Sequence, residues 1–404
     1  MSLIRTRMAC ALCACVDMDT IMKLPATPPA NEFVKNPQAQ ERFPLDLQLC
    51  RDCGHVQLAD VVHPDRLFGH YVYVSGTSPV FVKHFEDYAQ DVYASSKLSA
   101  HGHVVDIGSN DGTLLKAFQK LGIKKVTGVD PARDIATKAS SEGVPTRIGF
   151  FDRNMAASIR ATDGAANVIT ANNVFAHADD LREIALGVRD LLAPEGDFVF
   201  EVSYLMDVVE HTLFDTIYHE HLSYHSVKPL MPFLAECGLH VYDAVRVQTH
   251  GGSVRVYASR ARKHPTARLA SILSAEEAAG IQQRAAFDNL SSDIAHKAEI
   301  LRKKIKDTKS AGKKICGFGA PAKLTTLMYA FGLEASDFEF IIDDSPLKQG
   351  LLTPGMNIPV CPSTALYERN IDVCVVFAWN FFDSITTKHA KWSDAGGVFV
   401  NPLN

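Results

Sequence analysis

The sequence predicts a mixed α/β protein: a small N-terminal metal-binding block followed by two Rossmann-like units. Three observations carry this reading. Two C-x2-C pairs lie within the first 53 residues. An apolar run at 103–107 turns through glycine into a helix start. The same strand-glycine-helix pattern returns at 314–323. The blocks are expected at 1–75, 76–260 and 312–404, with linking helices over 261–311.

The chain has 404 residues, 47% hydrophobic and 22% charged. These values exclude a disordered polymer, a fibrous repeat and a coiled coil. A net charge of −5 gives no general field for a phosphate backbone, so nucleic acid is not an expected partner. No apolar run is long enough to span a membrane, and Met1 to Thr20 carries no apolar signal core. A cytoplasmic protein with no membrane partner is expected, as a monomer or weak dimer.

Five of nine cysteines fall in the first block. Cys10 and Cys13 form one C-x2-C pair, and Cys50 and Cys53 the other. Two such pairs supply four thiolates to one tetrahedral Zn²⁺, each pair turning tightly around the ion. With four protein ligands no position is left for water. The zinc is therefore expected to be structural, organising a block too small to fold on core burial alone. Cys15 competes for register but lacks the C-x2-C spacing to Cys10.

The first glycine turn reads V-D-I-G-S-N-D-G, with Gly108 and Gly112 bracketing Ser109 and Asn110. A second strand ends at Asp130, placed to bond ribose hydroxyls. The loop is not G-x-G-x-x-G, and Asp106 precedes its first glycine. Acids on both sides would repel a pyrophosphate. They suit a cationic ligand without phosphate, S-adenosylmethionine (SAM). Phe151 and Asp152 are expected near the adenine. Asn172 and Asn173 are expected at the carboxyl end of the fourth strand, where open α/β sheets bind ligands.

Residues 214–225 are densely polar and aromatic. A histidine there takes a proton near neutral pH, a carboxylate orients it, and tyrosine donates to a developing oxyanion. Tyr218, Glu220 and His221 are the candidates, with His177 just past the fourth strand. Tyr224 and His225 are candidate substrate contacts. His221 and His225 are also spaced to share a helical face around a metal. Tyr71 and Tyr73, two apart, fall on one side of an extended segment. Arg255 either meets phosphate or is a surface charge on a strand.

In the linking region Leu269, Ile272 and Leu273 share a helical face, continued by Ala285, Ile294, Ile300 and Leu301. The second glycine turn places Gly317, Gly319 and Lys323 at a helix N-terminus, able to cradle a substrate's pyrophosphate.

In this order the chain carries two C-x2-C pairs, Y-x-Y-x-S-G, V-D-I-G-S-N-D-G, N-N-V-F-A-H, F-D-T-I-Y-H-E-H-L-S-Y, H-G-G-S-V-R-V-Y and G-F-G-A-P-A-K. Over nearly its whole length it resembles the zinc-containing, SAM-dependent nucleotide-sugar C-methyltransferases. The resemblance implies methylation at C-3 of a nucleotide-diphosphate-linked 4-keto-6-deoxysugar or its 3-amino relative. It implies His221 as the base, with Glu220, Tyr218, His177 and either Tyr71 or Tyr73 around it. The alternatives are an NAD-dependent sugar oxidoreductase and an O- or N-methyltransferase.

Overall fold

The computed structural model describes residues 3–68 and 79–404. Alternate burial along Phe43–Cys50 gives the N-terminal block a one-faced antiparallel sheet. Met18–Thr27, Phe43–Cys50 and Val56–Leu58 pair in succession. The fourth strand of this sheet is Ser223–Tyr224, from the polar-aromatic segment some 165 residues further on. The Y-H-E-H stretch is thus hydrogen-bonded into the cysteine block.

The central sheet has seven strands. Its order is His240–Val247, Ser253–Ser259, Leu192–Ser203, Ala166–Asn172, His103–Ile107, Lys125–Asp130 and Thr146–Ile148. All are parallel except Ser253–Ser259, which is antiparallel to both neighbours. Successive residues face opposite cores: Val104 joins one apolar cluster, Val105 and Ile107 the other. Coverage on both faces explains the nearly continuous apolar runs in these strands. The winding reverses between His103–Ile107 and Ala166–Asn172, which opens a crevice at their carboxyl ends.

The C-terminal sheet is wholly parallel: Val360–Cys361, Ile341–Ile342, Ile315–Phe318, Val373–Val376 and Val398–Val400. Two helices link it to the central sheet. Ala267–Ala279 is capped by the Thr266 hydroxyl and ends on Gly280 in the left-handed region. Arg284–Ser310 follows. The buried face of this second helix is Phe287, Leu290, Ile294, Ala298, Leu301 and Ile305. Ala285 and Ile300, expected on that face, are exposed. The true stripe lies slightly around the helix, because the core contacts it from both outer sheets.

One apolar cluster contains Leu45, Leu47 and Leu49 of the first sheet, Phe214 and Ile217, Phe287 and Leu290 of the linking helix, Ile341 and Val375 of the last sheet, and Leu324 of the helix Lys323–Ala330 that packs on it. The first and last sheets therefore share a single core.

Candidate active site

The four predicted metal ligands converge. Cys10 and Cys53 sulfurs are 3.6 Å apart, Cys13 and Cys50 sulfurs 3.5 Å, and all four lie within 4.8 Å of one another. Zn–S bonds of ~2.3 Å at a tetrahedral ion require edges of about 3.8 Å, so the sulfurs fit zinc. Cys15 stands outside the set and accepts the Asp17 N–H.

In the crevice Gly108, Asn110 and Gly112 all have positive φ, curling the loop back over the strand end. A Cβ on Gly108 would lie 2.2 Å from a methyl of Val174. Asp130 accepts the Asn110 N–H through one carboxylate oxygen and the Ala132 N–H through the other, each at 2.8 Å. It shapes the loop before it meets any ligand. Asp106 is buried and accepts the Thr170 hydroxyl at 2.6 Å. Burial pushes its pKa up to about 7, a cost that a bound cation would offset. Both polar atoms of the Asn172 amide are buried with no hydrogen-bond partner among the described residues. An orphaned amide beside two buried acids fits SAM, whose ammonium and carboxylate need both donors and acceptors.

The loop leads directly to the polar-aromatic segment. Val174, against Gly108, is three residues before His177, whose ring meets His221 edge-on at 4.8 Å between centroids. The Leu222 and Ser223 N–H groups both bond the Ala176 carbonyl. His221 Nδ1 lies 2.8 Å from the Thr216 carbonyl oxygen. A carbonyl only accepts, so Nδ1 carries the proton and Nε2 the lone pair. The Tyr218 hydroxyl, 2.8 Å from Nε2, is then the donor. Burial holds His177 at about 4, neutral at physiological pH. Glu220 is buried and accepts the Asn31 amide at 2.7 Å; burial raises it to about 7 against that bond.

Both outer domains hold this segment, the C-terminal domain its first half and the N-terminal block its second. Asp215 accepts the Trp379 indole N–H, and the Ile217 carbonyl accepts the Thr326 hydroxyl. His219 reaches the Phe43 carbonyl at 3.1 Å, and Glu220 reaches Asn31. Tyr218 and His221, less buried than these, lie ring to ring with each other, and His221 with His177.

Several expected contacts do other work. Phe151 packs into the core, and Asp152 caps the helix Arg153–Asp163 through the Met155 N–H. The exposed aromatic there is Phe150, beside exposed Ile148. Tyr224 is buried in its strand, and His225 is buried against Phe175 and held at about 4, away from His221 as a metal partner. Arg255 is buried between Glu201 and Asp91 and over the Tyr88 ring, so it is no phosphate contact. At Gly317 a Cβ would strike Ile341 and Phe377, a packing role. Gly319 makes the turn at φ 92°. Lys323 is buried with its ammonium 4.1 Å from the Trp379 ring and facing Asp215, which redirects it from phosphate to an interdomain contact. Tyr71 and Tyr73 lie outside the described residues. Asn31, Thr216, Thr326 and Trp379 were not expected. Each acts across domains or through a backbone carbonyl, for which local sequence has no signal.

Comparison with known proteins gives three family matches along the chain. A zinc-binding domain of this methyltransferase class matches residues 10–68, a methyltransferase domain 83–244, and a C-methyltransferase C-terminal domain 248–404. The C-methyltransferase NovU of Streptomyces niveus is 32% identical over 399 residues, covering 98% of this chain and 95% of that protein. The chain belongs to the zinc-containing, SAM-dependent C-methyltransferases. Among solved structures, the CcbJ methyltransferase of Streptomyces caelestis is 15% identical, with 48% of this chain and 95% of that one covered at TM-score 0.36. A SAM-dependent methyltransferase of Clostridium acetobutylicum is 14% identical, covering 44% and 91% at TM-score 0.36. In this C-methyltransferase no helix among the described residues is long and apolar enough to cross a membrane.

Proposed function

We propose that this C-methyltransferase methylates C-3 of a nucleotide-linked 4-keto-6-deoxysugar, with His221 as the base. The observation that carries the reading is the pairing of His221, Nδ1 with the Thr216 carbonyl and Nε2 with the Tyr218 hydroxyl, beside His177. A C–H bond beside a ketone becomes acidic once the enolate oxygen is held by donors. His221 Nε2 takes the C-3 proton, and the electron pair moves onto the C-4 oxygen. Tyr218 swings its hydroxyl from Nε2 to that oxygen, uncovering the lone pair as substrate arrives. Neutral His177 is a second donor to the same oxygen. Glu220, next to His221 in sequence, is held by Asn31 and kept less acidic than usual by burial. SAM, when bound against the 106–112 loop, supplies an electrophilic methyl group to C-3. The nucleotide-sugar class rests on the motif resemblance in the sequence.

The test is incubation of His221→Asn with the keto-sugar in deuterium oxide. With wild-type enzyme the keto-sugar is expected to exchange its C-3 hydrogen and, when SAM is added, to gain a methyl on carbon seen by NMR. His221→Asn is expected to do neither; undiminished exchange removes His221 from the base role. SAM and NAD titrated by calorimetry separate the methyltransferase from the oxidoreductase reading. A panel of nucleotide-linked keto-sugars, read by mass spectrometry, identifies the substrate.

A further inference from the structure

The C-terminal domain anchors both sides of the residue that bonds the base. Thr216 supplies the carbonyl that fixes the His221 tautomer. Its two chain neighbours are both anchored to the C-terminal domain. Asp215, fully buried, accepts the Trp379 indole N–H at 2.5 Å. The Ile217 carbonyl accepts the Thr326 hydroxyl at 2.7 Å. The Thr216 hydroxyl is itself tied to the Leu213 carbonyl at 2.6 Å.

The anchors are themselves held. Lys323 lies over the Trp379 ring at 4.1 Å and faces Asp215. Any side chain at Gly251 would meet the far edge of that indole, its Cβ 2.4 Å from the ring. Thr326 sits on the helix Lys323–Ala330, directly after the G-F-G-A-P-A turn. None of these groups belongs to the proposed proton path, yet all converge on the residues flanking one carbonyl.

We infer that Trp379 and Thr326 are positioning residues that keep His221 in its Nδ1–H tautomer by holding the Thr216 carbonyl in place. This rests on His221 being the base. Hydrogen bonds weaken steeply with misalignment, so a carbonyl turned away would release the Nδ1 proton bond. The proton would then also populate Nε2, where it blocks abstraction. The G-F-G-A-P-A-K element thereby acts on the chemistry through Thr216 and not as a phosphate cradle.

Two substitutions test this in the full chain. Thr326→Val removes one donor at constant shape, and Trp379→Phe removes the other while keeping a ring under Lys323. Each is expected to lower kcat by roughly tenfold or more, a fraction of what a positioned base supplies. KM for the keto-sugar should stay within roughly twofold, and Thr326→Ser should restore kcat. Nitrogen NMR of histidine-labelled protein, with the His221 signal assigned by its loss in His221→Asn, should show the Nε2–H form appearing in both variants. A pure Nδ1–H signal with wild-type kcat in a folded variant overturns the proposal, as does a loss confined to KM. If Thr326→Val does not fold, Trp379→Phe decides. The tautomer is read without turnover, so this outcome is independent of the His221→Asn exchange experiment that tests the functional reading.

Discussion

Glu220 shows how a single side chain acquires its character from burial. Its carboxyl has one neutral donor, Asn31, and no cation to hold its charge among the groups shifting it. The folded pKa, about 7 against a usual 4.5, means that the folded state keeps a proton which the unfolded state loses. Stability contributed by this group is therefore lost as pH rises from ~4.5 to ~7. The full cost above that window is on the order of 3 kcal/mol, at about 1.4 kcal/mol per pKa unit. Glu220→Gln keeps the acceptor for Asn31 and cannot ionise. Denaturant midpoints should show the variant more stable than wild type at about pH 8, with the gap closing toward about pH 5. Parallel pH curves for the two proteins would contradict this. Gly108 is the other residue with a sharp consequence. With φ at 69° and Val174 at 2.2 Å from an added Cβ, Gly108→Ala must move the loop that borders the expected SAM pocket. Calorimetry is expected to register weakened SAM binding, and thermal melts a loss of roughly 1–3 kcal/mol.

At the level of elements, the linking helix Ala267–Ala279 does more than connect. Its Glu276 is buried and accepts the Val227 N–H at 2.6 Å, the Lys228 N–H at 3.0 Å and the Tyr204 hydroxyl at 2.9 Å. It thus caps the helix Val227–Glu236, which begins immediately after the polar-aromatic segment. Glu276→Ala strands two buried donors, the Tyr204 hydroxyl and the Val227 N–H, and one half-buried donor, and should destabilise the protein by roughly 2–5 kcal/mol. A melting temperature unchanged from wild type would show that water replaces the carboxylate at no cost. The glycine turns were legible in sequence because each needs positive φ at fixed positions within a strand-turn-helix unit. Glu276 was not, since an acid in a helical pattern reads as a solvated face until the packing partner is known. Arg255 misled in the opposite direction. A charge in a strand looks available, and only the paired strand and the helix Pro79–Ser95 reveal Glu201 and Asp91 around it.

For the whole molecule, the cysteine block and the Y-H-E-H segment share a sheet through Ser223–Tyr224 and Val56–Leu58. The same block shares a core with the C-terminal sheet. Removing zinc should consequently disable a site that lies outside the metal block. Chelation, or Cys50→Ser, is expected to abolish methyl transfer and to raise hydrogen exchange at Leu58, whose amide bonds the Leu222 carbonyl across this junction. Unchanged protection there after verified zinc loss would show that the first sheet stands without its metal.

Sequence alone determined the parts whose physics is local. Four thiolates at C-x2-C spacing, glycines where the chain must turn left-handed, buried strands without polar alternation, and the residue types for proton transfer were all readable there. So was the kinship along the motif order. Tertiary structure decided which of those side chains face the pocket. It sent Tyr224, His225, Phe151 and Lys323 inward, brought Asn31 to Glu220, and set the His221 proton through Thr216. Such choices depend on contacts between residues far apart in the chain, and on desolvation that exists only once three sheets have closed around one segment.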